Sequence, residues 1–163
     1  MSFYFYSPTK GKLAWEDLSQ EIRRFIVAHP EDDYQLIIGS DSRTKIEGKS
    51  HGLDLVTAVV IHRKGRGGRY FWSKTRVINV FSLKEKLYHE TISSLETAHK
   101  LMGILKEDLN GQFEALEIHI DVGEKGPSRE MIKELVGMVN GNGFKAKTKP
   151  GAYAASTVAD KYT

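Results

Sequence analysis

The stretch that most restricts the fold is a basic, glycine-rich break, Lys64-Gly65-Arg66-Gly67-Gly68, between two runs of strand-forming residues. Leu53 to His62 carries Val56, Val59, Val60 and Ile61; Arg69 to Val77 is rich in aromatic and β-branched residues. A parallel pair needs a crossover of about a dozen residues or more, so runs this close pair antiparallel, as a hairpin. Upstream, Leu36-Ile37-Ile38 within Tyr34 to Ser40 reads as a buried strand ending at Gly39. Downstream, Leu116 to Val122 alternates. Leu116, Ile118 and Ile120 point one way; Glu117, His119 and Asp121 point the other. Phe144 to Thr148 makes a fifth strand.

Helices fill the gaps. Trp15, Leu18, Ile22, Phe25 and Ile26 recur at helical spacing, and the helix stops near His29-Pro30 because the residue before proline avoids helical backbone. Ser82 with Glu85 forms a capping box for a long helix striped by Leu87, Thr91, Leu95, Ala98, Met102 and Leu105. That helix is expected to fray near Asn110-Gly111. Ser128 caps another, containing Met131, Ile132, Leu135, Val136 and Val139, and Ala154 to Tyr162 is a short terminal helix. Phe3 to Tyr6 is either a short strand or an aromatic lid. A hairpin unit followed by strand-helix-strand units predicts one α/β domain over residues 1–163. It has a mixed five-stranded sheet, helices on both faces and an extra helix, 15–28, at its start.

Composition narrows the chemistry. The 163 residues include no cysteine, which excludes disulfides, thiolate nucleophiles and cysteine-ligated zinc. The six histidines show no zinc-ligand spacing, and no Gly-x-Ser-x-Gly elbow is present. Met1 to Lys10 lacks the basic-then-apolar order of a signal peptide, and no apolar run approaches a membrane span, so the expected location is cytoplasmic. A net charge of +3 leans mildly toward polyanions.

The chemistry-bearing pattern is acidic. Asp41 and Asp121 stand where strands are expected to end, the edge at which open α/β sheets bind ligands. If those strands are parallel neighbours the two carboxylates meet, and their repulsion requires a proton or a cation. A third acid from the long helix is Glu90 or Glu96, and Asp160 is a candidate fourth. Carboxylate oxygens favour Mg²⁺ or Mn²⁺.

The order strand-Asp, hairpin, helix-Glu, strand-Asp, terminal-helix-Asp resembles that of the ribonuclease H-like superfamily. Three stretches, Ile38-Gly39-Ser40-Asp41-Ser42, His119-Ile120-Asp121-Val122-Gly123 and residues 149–161 from Lys149-Pro150-Gly151 to Ala159-Asp160-Lys161, are similar to one bacterial family within it, the YkuK-like proteins. The resemblance spans nearly the whole chain. It implies a metal-dependent nuclease-type site in which Asp41 bridges two ions about 4 Å apart, with Glu90 (or Glu96), Asp121 and Asp160 completing the shell.

The expected partner is nucleic acid: RNA, an RNA–DNA hybrid or structured DNA. Lys145, Lys147 and Lys149 alternate on one strand face, where a phosphate backbone could lie; lysines also guard edge strands. Arg66 and Arg69 at the hairpin turn are further candidates for phosphate contact. The turn is not a phosphate-binding loop, since no Gly-Lys-Ser/Thr leads it into a helix. Trp72 or Phe71 could stack bases, an oligomer is possible, and the alternative function is a non-catalytic nucleic-acid- or protein-binding module on the same fold.

Overall fold

The computed structural model describes residues 3–105 and 116–163. Among the described residues the sheet has seven strands, not five. In chain order these are β1 (Phe5–Ser7), β2 (Gly11–Leu13), β3 (Tyr34–Glu47), β4 (Ser50–Arg63), β5 (Gly68–Ile78), β6 (Glu117–His119) and β7 (Lys145–Lys147), arranged β2-β1-β5-β4-β3-β6-β7. β1 and β2 form a small hairpin beside β5, where Tyr6 pairs with Trp72. Phe5 and Tyr6 of the Phe3 to Tyr6 stretch therefore enter a strand, and Gly11–Leu13 is too short and polar to show in the apolar pattern.

The central hairpin forms as its turn dictates. β4 and β5 pair antiparallel from Gly52↔Ile78 to His62↔Gly68. Gly65 and Gly67 take φ of +76° and +89° in the turn, a backbone region that side chains disfavour. β3 pairs antiparallel with β4 along its entire length and parallel with β6 only over Ile37↔Glu117, Ile38↔Ile118 and Gly39↔His119. β7 continues parallel to β6 at the sheet edge.

One sheet face carries three helices: α1 (Trp15–Val27), α2 (Leu83–Leu105) and α3 (Ile132–Gly141). Their apolar stripes meet Leu36, Ile38, Val59, Ile61, Phe71, Ile118 and Ile120 in one continuous core. Half of the expected capping box of α2 forms: Ser82 Oγ accepts the Glu85 N–H at 3.1 Å, while Glu85 reaches back to the Phe81 N–H at 3.4 Å, one residue before the cap. The expected fraying near Asn110-Gly111 falls outside the described residues. Ser128 makes no side-chain cap; it precedes a single 3-10 turn, Arg129–Met131, that leads into α3.

The other face is covered by one segment, wide helical turns over Ala154–Ala159 followed by a 3-10 turn over Asp160–Tyr162. It seats Ala154 against Ile37 and Val60, and Ala159 against Val56 and Ala58. Among the described residues no helix is long and apolar enough to cross a membrane.

Candidate functional site

Asp41 does not end its strand. β3 runs six residues further because β4 is equally long, so the pair continues as a two-stranded ribbon. What ends at Gly39 is the parallel pairing with β6. Carrying the same register two residues onward sets Asp41 beside Asp121. This is the rim that the parallel pairing predicted, reached mid-strand.

Four acids gather at this rim. Asp41 is 7% exposed and its pKa is pushed up to about 7. Burial contributes most, followed by a side-chain hydrogen bond with Asp160 and the charges of Asp121 and Asp160. Glu90, on the buried side of α2, is 4% exposed and pushed up to about 8, mainly by burial, with Asp41 and Asp121 adding to it. The Ser42 hydroxyl donates to Glu90 Oε1 at 2.6 Å and, with Lys86, partly offsets that rise. Glu96 is exposed and lines a separate groove with Trp15, Leu55 and Val77. Spacing leaves the helix acid open between these two, and the fold brings Glu90 to the other carboxyls.

Asp121 has a different neighbour. Its Oδ1 lies 2.9 Å from Lys149 Nζ, yet this buried oxygen has no hydrogen bond, so the pair is ionic without good hydrogen-bond geometry. Gly123 makes room for Lys149, because a Cβ there would approach Lys149 Cβ to 3.1 Å. Hydroxyls fix α2 against the sheet beneath the site. Ser40 bonds Thr57 at 2.8 Å and Ser94 at 2.7 Å, and Thr57 bonds Ser93 at 2.7 Å. Ser94 lies one turn beyond Glu90, so this network sets the height at which Glu90 meets Ser42.

A family model described as Ribonuclease H-like matches residues 17–163. The chain is 32% identical over 175 aligned residues to "Uncharacterized protein YkuK" of Bacillus subtilis (strain 168), covering 99% of this chain and 98% of that protein. The chain belongs to the YkuK-like family of the ribonuclease H-like superfamily. No solved structure gives a significant match.

Divalent cations are common in ribonuclease H-like sites, so the rim must be tested for one. Its donors are all carboxylate oxygens, a set suited to Mg²⁺ or Mn²⁺. Asp41 and Glu90 are held toward protonation, and Asp121 Oδ1 is buried without a hydrogen bond. The two raised carboxyls have too little positive charge around them, while Asp121 already faces the Lys149 ammonium at 2.9 Å, so the carboxylate donors fit a cation that displaces that ammonium. Their oxygens do not close into a tight shell: among the described residues, only His29, Glu31 and Asp32 bring three ligand atoms within 4.8 Å of one another. That trio lies in the turn between α1 and β3, and Arg63 already pairs with Asp32.

The basic candidates divide by position. In the β6–β7 register Lys147 stands beside His119, and two residues on Lys149 reaches Asp121, while Lys145 stands beside Glu117 at the far end. Arg66 lies in the β4–β5 turn and Arg69 at the start of β5, at the end of the sheet opposite Asp41, and Arg69 packs over Phe25. Arg43 and Lys74, unmarked in the sequence, share the face of Asp41: Asp41 pairs with Val56, and Val56 with Lys74. Phe71 is core, whereas Trp72 on the opposite face stacks between Tyr6 at 4.8 Å and Tyr162 at 4.2 Å.

Proposed function

We propose that this protein is a Mg²⁺- or Mn²⁺-dependent nuclease that hydrolyses nucleic-acid phosphodiesters at the rim formed by Asp41, Glu90, Asp121 and Asp160. One observation carries the reading: acids from β3, α2, the end of β6 and the final segment meet at one buried rim, where burial first, and then a side-chain hydrogen bond with Asp160 and the charges of Asp121 and Asp160, push Asp41 up to about 7. Crowding of this kind destabilises a fold and persists where the site has work to do.

Asp41, Asp121, Asp160 and Glu90 would hold the cation, which when bound supplies charge to polarise a phosphoryl oxygen and acidify a water. Asp41 gives up its proton near neutral pH, so a cation displaces it at little cost. Glu90, steadied by Ser42 Oγ, keeps a proton at neutral pH until positive charge draws near. Lys147 and Lys149 on one side, and Arg43 and Lys74 on the other, flank the acids with cations on the same face. A phosphate backbone crossing the rim would meet positive charge before and after the carboxyls.

The test is cleavage of single-stranded RNA, an RNA–DNA hybrid and branched DNA with added Mn²⁺. Cleavage of at least one substrate is expected, falling by about a hundredfold or more in Asp41→Asn and Asp121→Asn. Cleavage that survives both substitutions would remove these residues from the chemistry. A second reading, a binding module without turnover, is favoured by the ammonium of Lys149, which already serves Asp121 as a counter-charge. It predicts nucleic-acid binding that chelators leave unchanged, with no product formed.

A further inference from the structure

Below the rim, on the same sheet face, lies a buried polar chain that the cation site does not use. Glu117 and His119 are both about 1% exposed. His119 Nε2 is 2.7 Å from Glu117 Oε1, and Glu117 Oε2 accepts the Gln35 side-chain N–H at 2.7 Å. Lys147 Nζ stands 3.4 Å from Glu117 Oε1 and balances its charge. At the other end of the ring, His119 Nδ1 accepts the backbone N–H of Ala154 at 3.1 Å. An imidazole nitrogen that accepts a hydrogen bond carries no proton, so the ring proton sits on Nε2 and points at Glu117.

Ala154 opens the segment that carries Asp160. The first N–H groups of a helical stretch have no partner within it; here one is taken by His119. The far end of the segment is held separately: Tyr162 Oη bonds Tyr70 Oη at 2.7 Å, and its ring stacks on Trp72. Asp160 sits between these two anchors. We infer that Glu117 and His119 are positioning residues that fix where the final segment begins, and so hold Asp160 against Asp41. The inference rests on the proposed cation site for its consequence, though not for its geometry.

A packing role would need only the shape of the ring, which phenylalanine supplies. The anchoring role needs an acceptor toward Ala154 and a donor toward Glu117, both of which glutamine supplies. The experiment compares wild type, His119→Phe and His119→Gln by amide hydrogen exchange and Mn²⁺ titration calorimetry. In His119→Phe, amides of residues 154–162 should exchange about tenfold faster or more, while those of β3 to β5 keep their protection. Mn²⁺ affinity should fall about tenfold, as when an outer partner of a metal ligand is removed, and His119→Gln should keep both properties. Unchanged exchange in His119→Phe would overturn the inference, as would faster exchange with unaltered Mn²⁺ affinity. Faster exchange of this segment in His119→Gln would equally overturn it, and that arm stands even where the phenylalanine variant does not fold. A wild type that binds no Mn²⁺ would sink the cation site instead, leaving the exchange data to decide the anchor alone.

Discussion

The two faces of the sheet are built on different principles. The face under α1, α2 and α3 is a thick apolar core of leucine, isoleucine, valine and phenylalanine. The opposite face has two small clusters closed by Ala154 and Ala159, with a single helical segment over them. Small side chains let that segment lie close to the sheet, which brings Asp160 within hydrogen-bonding reach of Asp41. Three of the four rim acids, and the Glu117–His119 pair, belong to the thinly covered face. Apolar packing is concentrated on one side, and of the acids at the rim only Glu90, hydrogen-bonded to Ser42, lies on that side.

Truncation tests that contrast most strongly. Ile22→Ala, in the fully buried stripe of α1, should cost about 2–5 kcal/mol in urea unfolding, through lost transfer energy and the cavity left behind. Val158→Ala, half-buried on the other face, should cost only about 1 kcal/mol. Equal losses would show that the two faces contribute alike.

A pH series sharpens the comparison. Asp41 and Glu90 have folded pKa values of about 7 and about 8, above the ordinary 3.8 and 4.5. The folded state therefore binds protons more tightly than the unfolded state, and this contribution is full below the ordinary values and lost as pH rises through 7 to 8. Metal-free protein should lose about 1–3 kcal/mol of stability between roughly pH 5 and 9, and saturating Mn²⁺ should flatten the decline. Denaturant midpoints across that range check it; a flat profile without metal would mean that burial and neighbouring charge do not raise these carboxyls.

The smallest effect concerns Lys149. Its ammonium competes for Asp121 while remaining half exposed, so Lys149→Ala should tighten Mn²⁺ binding only a few-fold, by less than about 1 kcal/mol. Calorimetry would read this directly, and weaker binding in the variant would make Lys149 a helper rather than a competitor.

The same division decides what is legible in the sequence. On the packed face each helix announces itself by repeating apolar residues, and the β4–β5 turn by its glycines. β1 and β2 stay hidden or ambiguous because three residues hold no period. β3 reads as ending at Gly39 because apolar side chains stop there, while the backbone pairing with β4 that carries it to Glu47 leaves no apolar trace. Glu90 is distinguishable in principle. It lies three residues after Leu87 and four before Ser94, on the buried side of α2. The Glu117–His119 pair looks like the polar half of an alternating strand. His119 is covered by Tyr153 and Ala154, more than thirty residues further along the chain, which strand periodicity does not encode.

The most direct measurement is a crystal structure of the protein soaked in Mn²⁺, read by anomalous scattering. Expected is a peak among the carboxylates of Asp41, Asp121 and Asp160, with the Lys149 ammonium moved off Asp121. A rim without a peak and with Lys149 still seated, or manganese only at His29, Glu31 and Asp32, would contradict a cation site at the rim.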